Sequence, residues 1–260
     1  MDGGAPVPEG DTVWRTCRRL DQVFRGEALQ RAELRWGRLI DSDLVGMTTL
    51  EVVPRGKHLL HRLDNGLTLH SHLRMDGTWR VSATTDPPQP FGGHLVRAVV
   101  ATAQWTAVGT ALGMLDLART RDEARLVGHL GPDLLGPDWD AREAARRLAA
   151  SPDALGAALL DQGNLAGLGT IWTAESLFAQ GLDPWRPASA VPAAELVALA
   201  DRAHRLLNAS IRGQVDPRRG YAVYRRLRQP CRRCGTPVKA GTIGTAPRAR
   251  TLFFCPRCQA

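Results

Sequence analysis

The chain reads as an α+β protein of more than one domain, and three observations carry that reading. Between Leu29 and Asp116 apolar residues fall in short alternating or continuous runs, the signature of antiparallel strands. Beyond a Pro/Gly cluster spanning Gly131-Pro132 to Gly136-Pro137 they recur at helical spacing, so a domain boundary belongs there. The last thirty residues hold two Cys-x-x-Cys pairs separated by twenty residues. At 260 residues the chain is long enough to bury one large core or two small ones.

The elements follow in order. Val13, Cys17, Leu20 and Phe24 share one face of a helix running from Asp11 to Phe24, with Asp11 or Thr12 as its cap. Strand-like runs cover Thr48 to Val53, His58 to Leu63, Leu67 to Leu73, Thr78 to Val81, His94 to Val100 and Trp105 to Val108. Turn signals at Pro54, Asp64-Asn65-Gly66 and Asp76-Gly77 separate several of them, which suits an antiparallel sandwich or barrel. Thr84 to Gly93, rich in Pro, Gly and Asp, reads as a loop. Helical periodicity then covers Ala141 to Ala150, Ala154 to Asp161, Leu168 to Gln180 and Ala193 to Ile211, and the glycines and prolines between the cysteine pairs suit a β-hairpin.

The hydrophobic fraction is 43%, and no apolar run approaches the roughly 18 residues of a membrane span. The first dozen residues lack the basic and apolar regions of a secretory signal, so a cytoplasmic protein is expected. The net charge of +8 and pI near 10.0 point to nucleic acid as a partner. Only Lys57 and Lys239 among the 34 basic residues are lysines, which makes Lys57 conspicuous where arginine fills most cationic positions.

In a chain with no secretory signal, Cys231, Cys234, Cys255 and Cys258 read as four thiolate ligands of one structural zinc ion rather than as disulfides. Cys17, at an apolar helical position, is expected to be a buried inert thiol. His70 and His72 share a strand face and read as packed or surface residues rather than metal ligands.

Two further stretches carry chemistry. Leu159 to Thr170 joins two helical patterns through a glycine-rich turn. Its Gly167-x-Gly169 is not a dinucleotide fingerprint, because no strand precedes it and no third glycine follows. Backbone amides at the start of the second helix would instead cradle a phosphate, although a plain helical hairpin turn fits the spacing as well. Near the start, Pro8-Glu9-Gly10 is what an enzyme using its own terminal amine would show. If Val7 is an initiator that is removed, Pro8 carries a secondary amine; if residues 1–7 stay attached, it is an unreactive amide nitrogen.

Taken in order, Pro8-Glu9-Gly10, Arg55-Gly56-Lys57, Ser71-His72-Leu73-Arg74-Met75-Asp76-Gly77, Leu159 to Gly169 and the four cysteines resemble the formamidopyrimidine-DNA glycosylase/endonuclease VIII family of base-excision repair enzymes. The similarity runs essentially from Pro8 to the end. It implies an amino-terminal β-sandwich over 8–131, a helical domain with a helix-two-turn-helix over 140–225, and a zinc finger over 229–260, with DNA between them. It also implies that residues 1–7 are a misassigned or removed leader.

By the same resemblance Pro8 is the nucleophile that forms a Schiff base at C1′, and Glu9 the proton donor. Lys57 grips the phosphate beside the lesion, and Arg250 holds the phosphate backbone and serves δ-elimination. Met75, assisted by Arg74, is the wedge filling the hole left by a flipped nucleotide. Gly167, Gly169 and Thr170 belong to the phosphate cradle. The expected activity is that of a bifunctional glycosylase/AP lyase ending in β,δ-elimination, acting as a monomer on damaged duplex or single-stranded DNA in the bacterial nucleoid. Oxidised pyrimidines are the expected substrates, because Arg212 to Cys231 holds no long loop to close over a purine. Thr170, where many relatives carry asparagine, and Asp76 beside the wedge depart from the family pattern. A chain that kept residues 1–7 would be a non-catalytic binder of damaged or structured DNA.

Overall fold

The computed structural model describes residues 8–84, 93–215 and 220–260. The chain divides into two compact units, Met1–His129 and Leu130–Ala260. The expected leader and most of the Thr84 to Gly93 loop lie outside the described residues.

The first unit opens with α1 (Gly10–Phe24). It starts one residue earlier than the sequence suggests: Glu9 occupies the cap position, and Asp11, already in the first turn, accepts the Thr12 N–H at 2.8 Å. Strands β1 (Arg31–Leu34), β2 (Thr49–Arg55), β3 (His58–Leu63), β4 (Leu67–His72), β5 (Thr78–Ala83), β6 (Val96–Ala101), β7 (Trp105–Thr110) and β8 (Met114–Arg119) follow, then the short helix α2 (Ala124–Val127). Among the described residues they form two four-stranded antiparallel sheets, in the orders β1-β6-β7-β5 and β2-β3-β4-β8.

Period-2 alternation gives each sheet one apolar face. Val52, Leu59 and Leu69 from one and Ala98, Val100 and Ala107 from the other meet in a single buried cluster. The apolar stripe of α1, including a fully buried Cys17, enters the same cluster. Strands β1 and β8, which no sequence run singled out, are edge strands with little full burial, so their alternation is weak.

The second unit packs α3 (Ala141–Ala150), α4 (Leu155–Leu160), α5 (Thr170–Gln180) and α6 (Ala193–Ile211) around a core that includes Leu148, Leu159, Trp172, Leu177 and Leu199. Asp140 caps α3 by accepting the N–H groups of Arg142 and Glu143, and Gly181 ends α5 in the left-handed region at φ 72. An antiparallel hairpin of β9 (Lys239–Ile243) and β10 (Arg250–Phe254) adds Val238, Ile243 and Leu252 to the same core.

Candidate active site and nucleic-acid interface

In the first unit, Pro8 is half-buried immediately ahead of α1, and Glu9 is only 1% exposed. Burying the face of α1 against the sheets fixes where both residues lie. A carboxylate beside a helix amino terminus sits in the favourable end of the helix dipole.

Lys57 lies in the two-residue turn joining β2 to β3, where Gly56 takes φ 58, a conformation glycine reaches without a Cβ clash. His58 on β3 faces His72 on β4 in register. Beyond His72 the chain turns through Arg74, held at φ 54, to Met75, which is 57% exposed. The turn is tied at both ends: Arg74 N–H donates to His72 Nδ1 at 2.9 Å, and Gly77 N–H to the Leu73 carbonyl at 2.9 Å. The stem of Arg74 lies directly over Gly113, where a Cβ would fall 1.9 Å from Arg74 Cγ.

Behind this turn runs a chain of groups that begins at a half-exposed carboxylate and continues through two buried imidazoles. Asp116 Oδ2 lies 3.0 Å from His70 Nδ1, and His70 Nε2 lies 2.8 Å from His58 Nδ1. A carboxylate only accepts, so His70 donates through Nδ1 and its Nε2 accepts from His58. Burial, with lesser contributions from His72, His70, His129 and Arg74, pushes His58 down to about 3. Burial pushes His72 down to about 4, helped by Lys57 and Arg74. Both imidazoles are therefore neutral near pH 7. Because His72 Nδ1 accepts from Arg74, its hydrogen resides on Nε2. The positive charge here is that of Lys57 and Arg74, while His72 offers an uncharged donor. Sequence reasoning singled out Lys57, Arg74 and Met75 but left His70 and His72 as packed or surface residues and did not connect His58 or Asp116 to them. The clustering of His58, His61, His70 and His72 on two successive strand runs was the available signal.

In the second unit, α4 and α5 are joined by a loop braced from within. Gln162 Nε2 donates to the carbonyls of Leu160 and Leu168 at 2.9 Å each, and its Oε1 accepts the Gly167 N–H at 3.0 Å. Asn164 donates to the Ala158 carbonyl, and Arg147 to that of Gly163. Gly167 takes φ 101 and Gly169 caps α5. Half-buried Thr170 opens that helix, whose first turn holds no acid. Amides at such an amino terminus suit an anion. Gly131 lies so close to this loop that a Cβ would meet the Asn164 and Gly163 carbonyls at 2.6 Å.

The four cysteine sulfurs lie within 4.8 Å of one another, with Cys231–Cys258 at 3.9 Å and Cys234–Cys255 at 3.6 Å. Sulfurs 2.3 Å from the centre of a tetrahedron stand about 3.8 Å apart, so the donor set fits one ion of zinc's size and softness. A hydrogen bond from Thr236 pulls the Cys234 thiol down to about 6, whereas its thiol neighbours push Cys258 up to about 12. A central divalent cation is what allows all four to ionise together. Arg250, exposed at the start of β10, donates Nη1 to the Ala249 carbonyl at 2.8 Å.

Residues 7–120 match the model of the formamidopyrimidine-DNA glycosylase N-terminal domain, and residues 130–218 that of the formamidopyrimidine-DNA glycosylase H2TH domain. The chain is 48% identical over 263 residues to a probable endonuclease 8 2 of Streptomyces coelicolor, covering 98% of this chain and 94% of that protein. It is 38% identical over 261 residues to a DNA-(apurinic or apyrimidinic site) lyase of Mycolicibacterium smegmatis, covering 97% and 99%. Its fold resembles that of Lactococcus lactis formamidopyrimidine DNA glycosylase non-covalently bound to DNA containing an AP site, with a TM-score of 0.82, 24% identity and coverage of 97% and 99%. Two matching domains in order, full-length relatives and the shared fold establish that the chain belongs to the formamidopyrimidine-DNA glycosylase/endonuclease VIII family.

Proposed function

We propose that the chain is a base-excision repair DNA glycosylase/AP lyase that uses the Pro8 amine as its nucleophile. The observation carrying this reading is the pairing of Pro8 with a buried Glu9 at the start of α1 in a member of this family. The amine attacks C1′, the damaged base leaves with a proton, and an iminium forms between Pro8 and the opened sugar. That iminium acidifies the C2′ hydrogen; its loss expels the 3′ phosphate, and a second elimination expels the 5′ phosphate. An α-amino group titrates near 7.7 to 8.0, so a fraction is already the neutral nucleophile at pH 7, and the helix amino terminus favours that form. Glu9 delivers a proton to the ring oxygen as the sugar opens.

Lys57 and the His72 Nε2 donor would hold a phosphate near the lesion, and exposed Met75 would fill the stack when the nucleotide is flipped. Gly167, Gly169 and Thr170 would hold a second phosphate at the start of α5, with Arg250 contributing on the hairpin. Cys231, Cys234, Cys255 and Cys258 would hold one zinc ion, which supplies folding energy and no chemistry. Oxidised pyrimidines in duplex or single-stranded DNA remain the proposed substrates of a monomeric bacterial protein. The bacterial relatives named endonuclease 8 support a repair enzyme of this class, and the family match begins at residue 7, next to Pro8.

Borohydride trapping on abasic DNA tests the reading. Protein with a verified Pro8 terminus should form a covalent adduct that Pro8→Gly loses. No adduct from that protein would overturn the catalytic claim and leave a non-catalytic DNA binder. Mass spectrometry of the native chain tests the terminus, and retention of residues 1–7 would favour the same alternative.

A further inference from the structure

The positive charge of the chain is concentrated at one end. From Gly220 onward there are nine basic residues and no acidic one, whereas the first 219 residues hold 25 basic residues against 26 acidic. The first cluster of that surplus is the turn Tyr224-Arg225-Arg226-Leu227-Arg228, which leads into the cysteine hairpin.

Its backbone is unusual. Arg225 has φ 55 and Arg228 φ 64, in the left-handed region that glycine enters freely and a residue with a Cβ enters only under strain. Such conformations persist where the surroundings over-determine them. Here they do: the Glu175 carboxylate accepts the N–H groups of Ala222, Val223 and Tyr224 at 2.8, 2.9 and 3.0 Å. Arg228 N–H donates to the Val238 carbonyl at 2.8 Å. Arg226 turns inward and closes the turn, donating to the Ala222 and Pro230 carbonyls and to Gln229 Oε1 at 2.8, 2.9 and 3.0 Å. Arg225 and Arg228 are instead exposed, and the Arg225 guanidinium lies 5.6 Å from the centre of the Tyr224 ring.

The three arginines therefore have two kinds of task. Arg226 is part of the scaffold. At the other two positions glycine would suit the backbone better, and arginine places there a permanently charged, planar donor on a rigid support. We propose that Arg225 and Arg228 form a binding site for DNA backbone phosphates, contributing affinity irrespective of base sequence or lesion. This role presupposes the DNA binding proposed above. It differs from the lesion-directed roles of Pro8 and Met75, because it predicts equal effects on damaged and intact duplex.

Glycine replacement separates the side chain from the backbone. In the full chain, Arg225→Gly/Arg228→Gly should unfold at the wild-type temperature or above, since strain is relieved. It should nevertheless bind both a duplex with an abasic analogue and an undamaged duplex more weakly, by about eightfold per phosphate contact at 0.1 M salt, and flatten the log-log salt slope by about 0.9 per contact. Arg225→Lys/Arg228→Lys should recover most of that slope. Wild-type affinity and slope in the glycine variant would overturn the site, as would a glycine variant that loses stability together with binding and is not rescued by lysine. Failure of the wild-type protein itself to bind DNA would instead defeat the parent reading, and this site with it.

Discussion

Replacing Glu175 by glutamine should cost far more than an isosteric change on a helix surface. The carboxylate accepts three N–H groups at 2.8, 2.9 and 3.0 Å, two of them, those of Val223 and Tyr224, through Oε1. Val223 is fully buried and Tyr224 is 7% exposed. An amide keeps the oxygen for those two bonds but turns an NH2 toward the Ala222 donor. One charge-assisted bond, about 1.5 to 3 kcal/mol, is then replaced by opposed donors, and the two that remain weaken to neutral strength. The sum is about 3 kcal/mol for Glu175→Gln, and about 4 to 6 for Glu175→Ala, where all three donors lose their acceptor. Urea unfolding followed by tryptophan fluorescence reads this directly, because Trp139, Trp172 and Trp185 lie in the same unit. A Glu175→Gln protein within about 0.5 kcal/mol of wild type would refute the reasoning, since it would mean the three bonds are exchanged for water without loss. If the platform loosens as expected, nonspecific DNA affinity should fall with it.

Gly113→Ala should drive the Arg74 stem off its seat, because the new Cβ would lie 1.9 Å from Cγ and 2.6 Å from Cβ of that side chain. A cost of about 1 to 3 kcal/mol is expected, with slower adduct formation on duplex than on single-stranded abasic DNA, where no flipping is required; unchanged melting and unchanged rates on both would contradict it. Acidification should destabilise the first unit: burial holds His61 down at about 4, so the unfolded chain, titrating near 6.5, takes up protons first as pH falls. The stability is complete above about pH 6.5 and is lost toward pH 4, with His61 alone contributing about 2 kcal/mol of loss by pH 5. His58 and His72, also lowered, act in the same direction. Equal urea midpoints at pH 7 and pH 5 would show that His61 is not held neutral. Metal analysis should find one zinc per chain, abolished by Cys234→Ser or by a strong chelator, with loss of the hairpin and of DNA affinity, since zinc contributes on the order of 10 kcal/mol to such modules; a chelator-resistant hairpin would contradict a metal-dependent fold.

Much of the fold was legible because local and tertiary demands agree along most of the chain. The α6 pattern gave its bounds, Ala193 to Ile211, from the sequence, since Pro192 fixes the start and the apolar stripe at Leu196, Leu199, Ala203 and Leu207 is uninterrupted. The cysteine spacing likewise announced a four-sulfur cluster that the structure assembles. What escaped depends on register. The Asp116–His70–His58 chain crosses three strands, with partners 46 and 12 residues apart, and a slip of one residue would send each side chain to the other face. Glu175 meets donors 47 to 49 residues downstream, and nothing local to either segment marks the pairing.

The sequence by itself determined the order of β-rich, helical and cysteine-bearing segments, the chemical types in the candidate site and the family they resemble, because periodicity, turn residues and ligand spacing act over short stretches of chain. Only the tertiary structure decided which imidazoles are neutral and which nitrogen of His72 carries the hydrogen. It alone held Arg74, Arg225 and Arg228 in left-handed turns and left Met75 exposed above a braced support. Those properties come from burial and from hydrogen bonds between distant segments, which exist only once strand register and helix packing have been set.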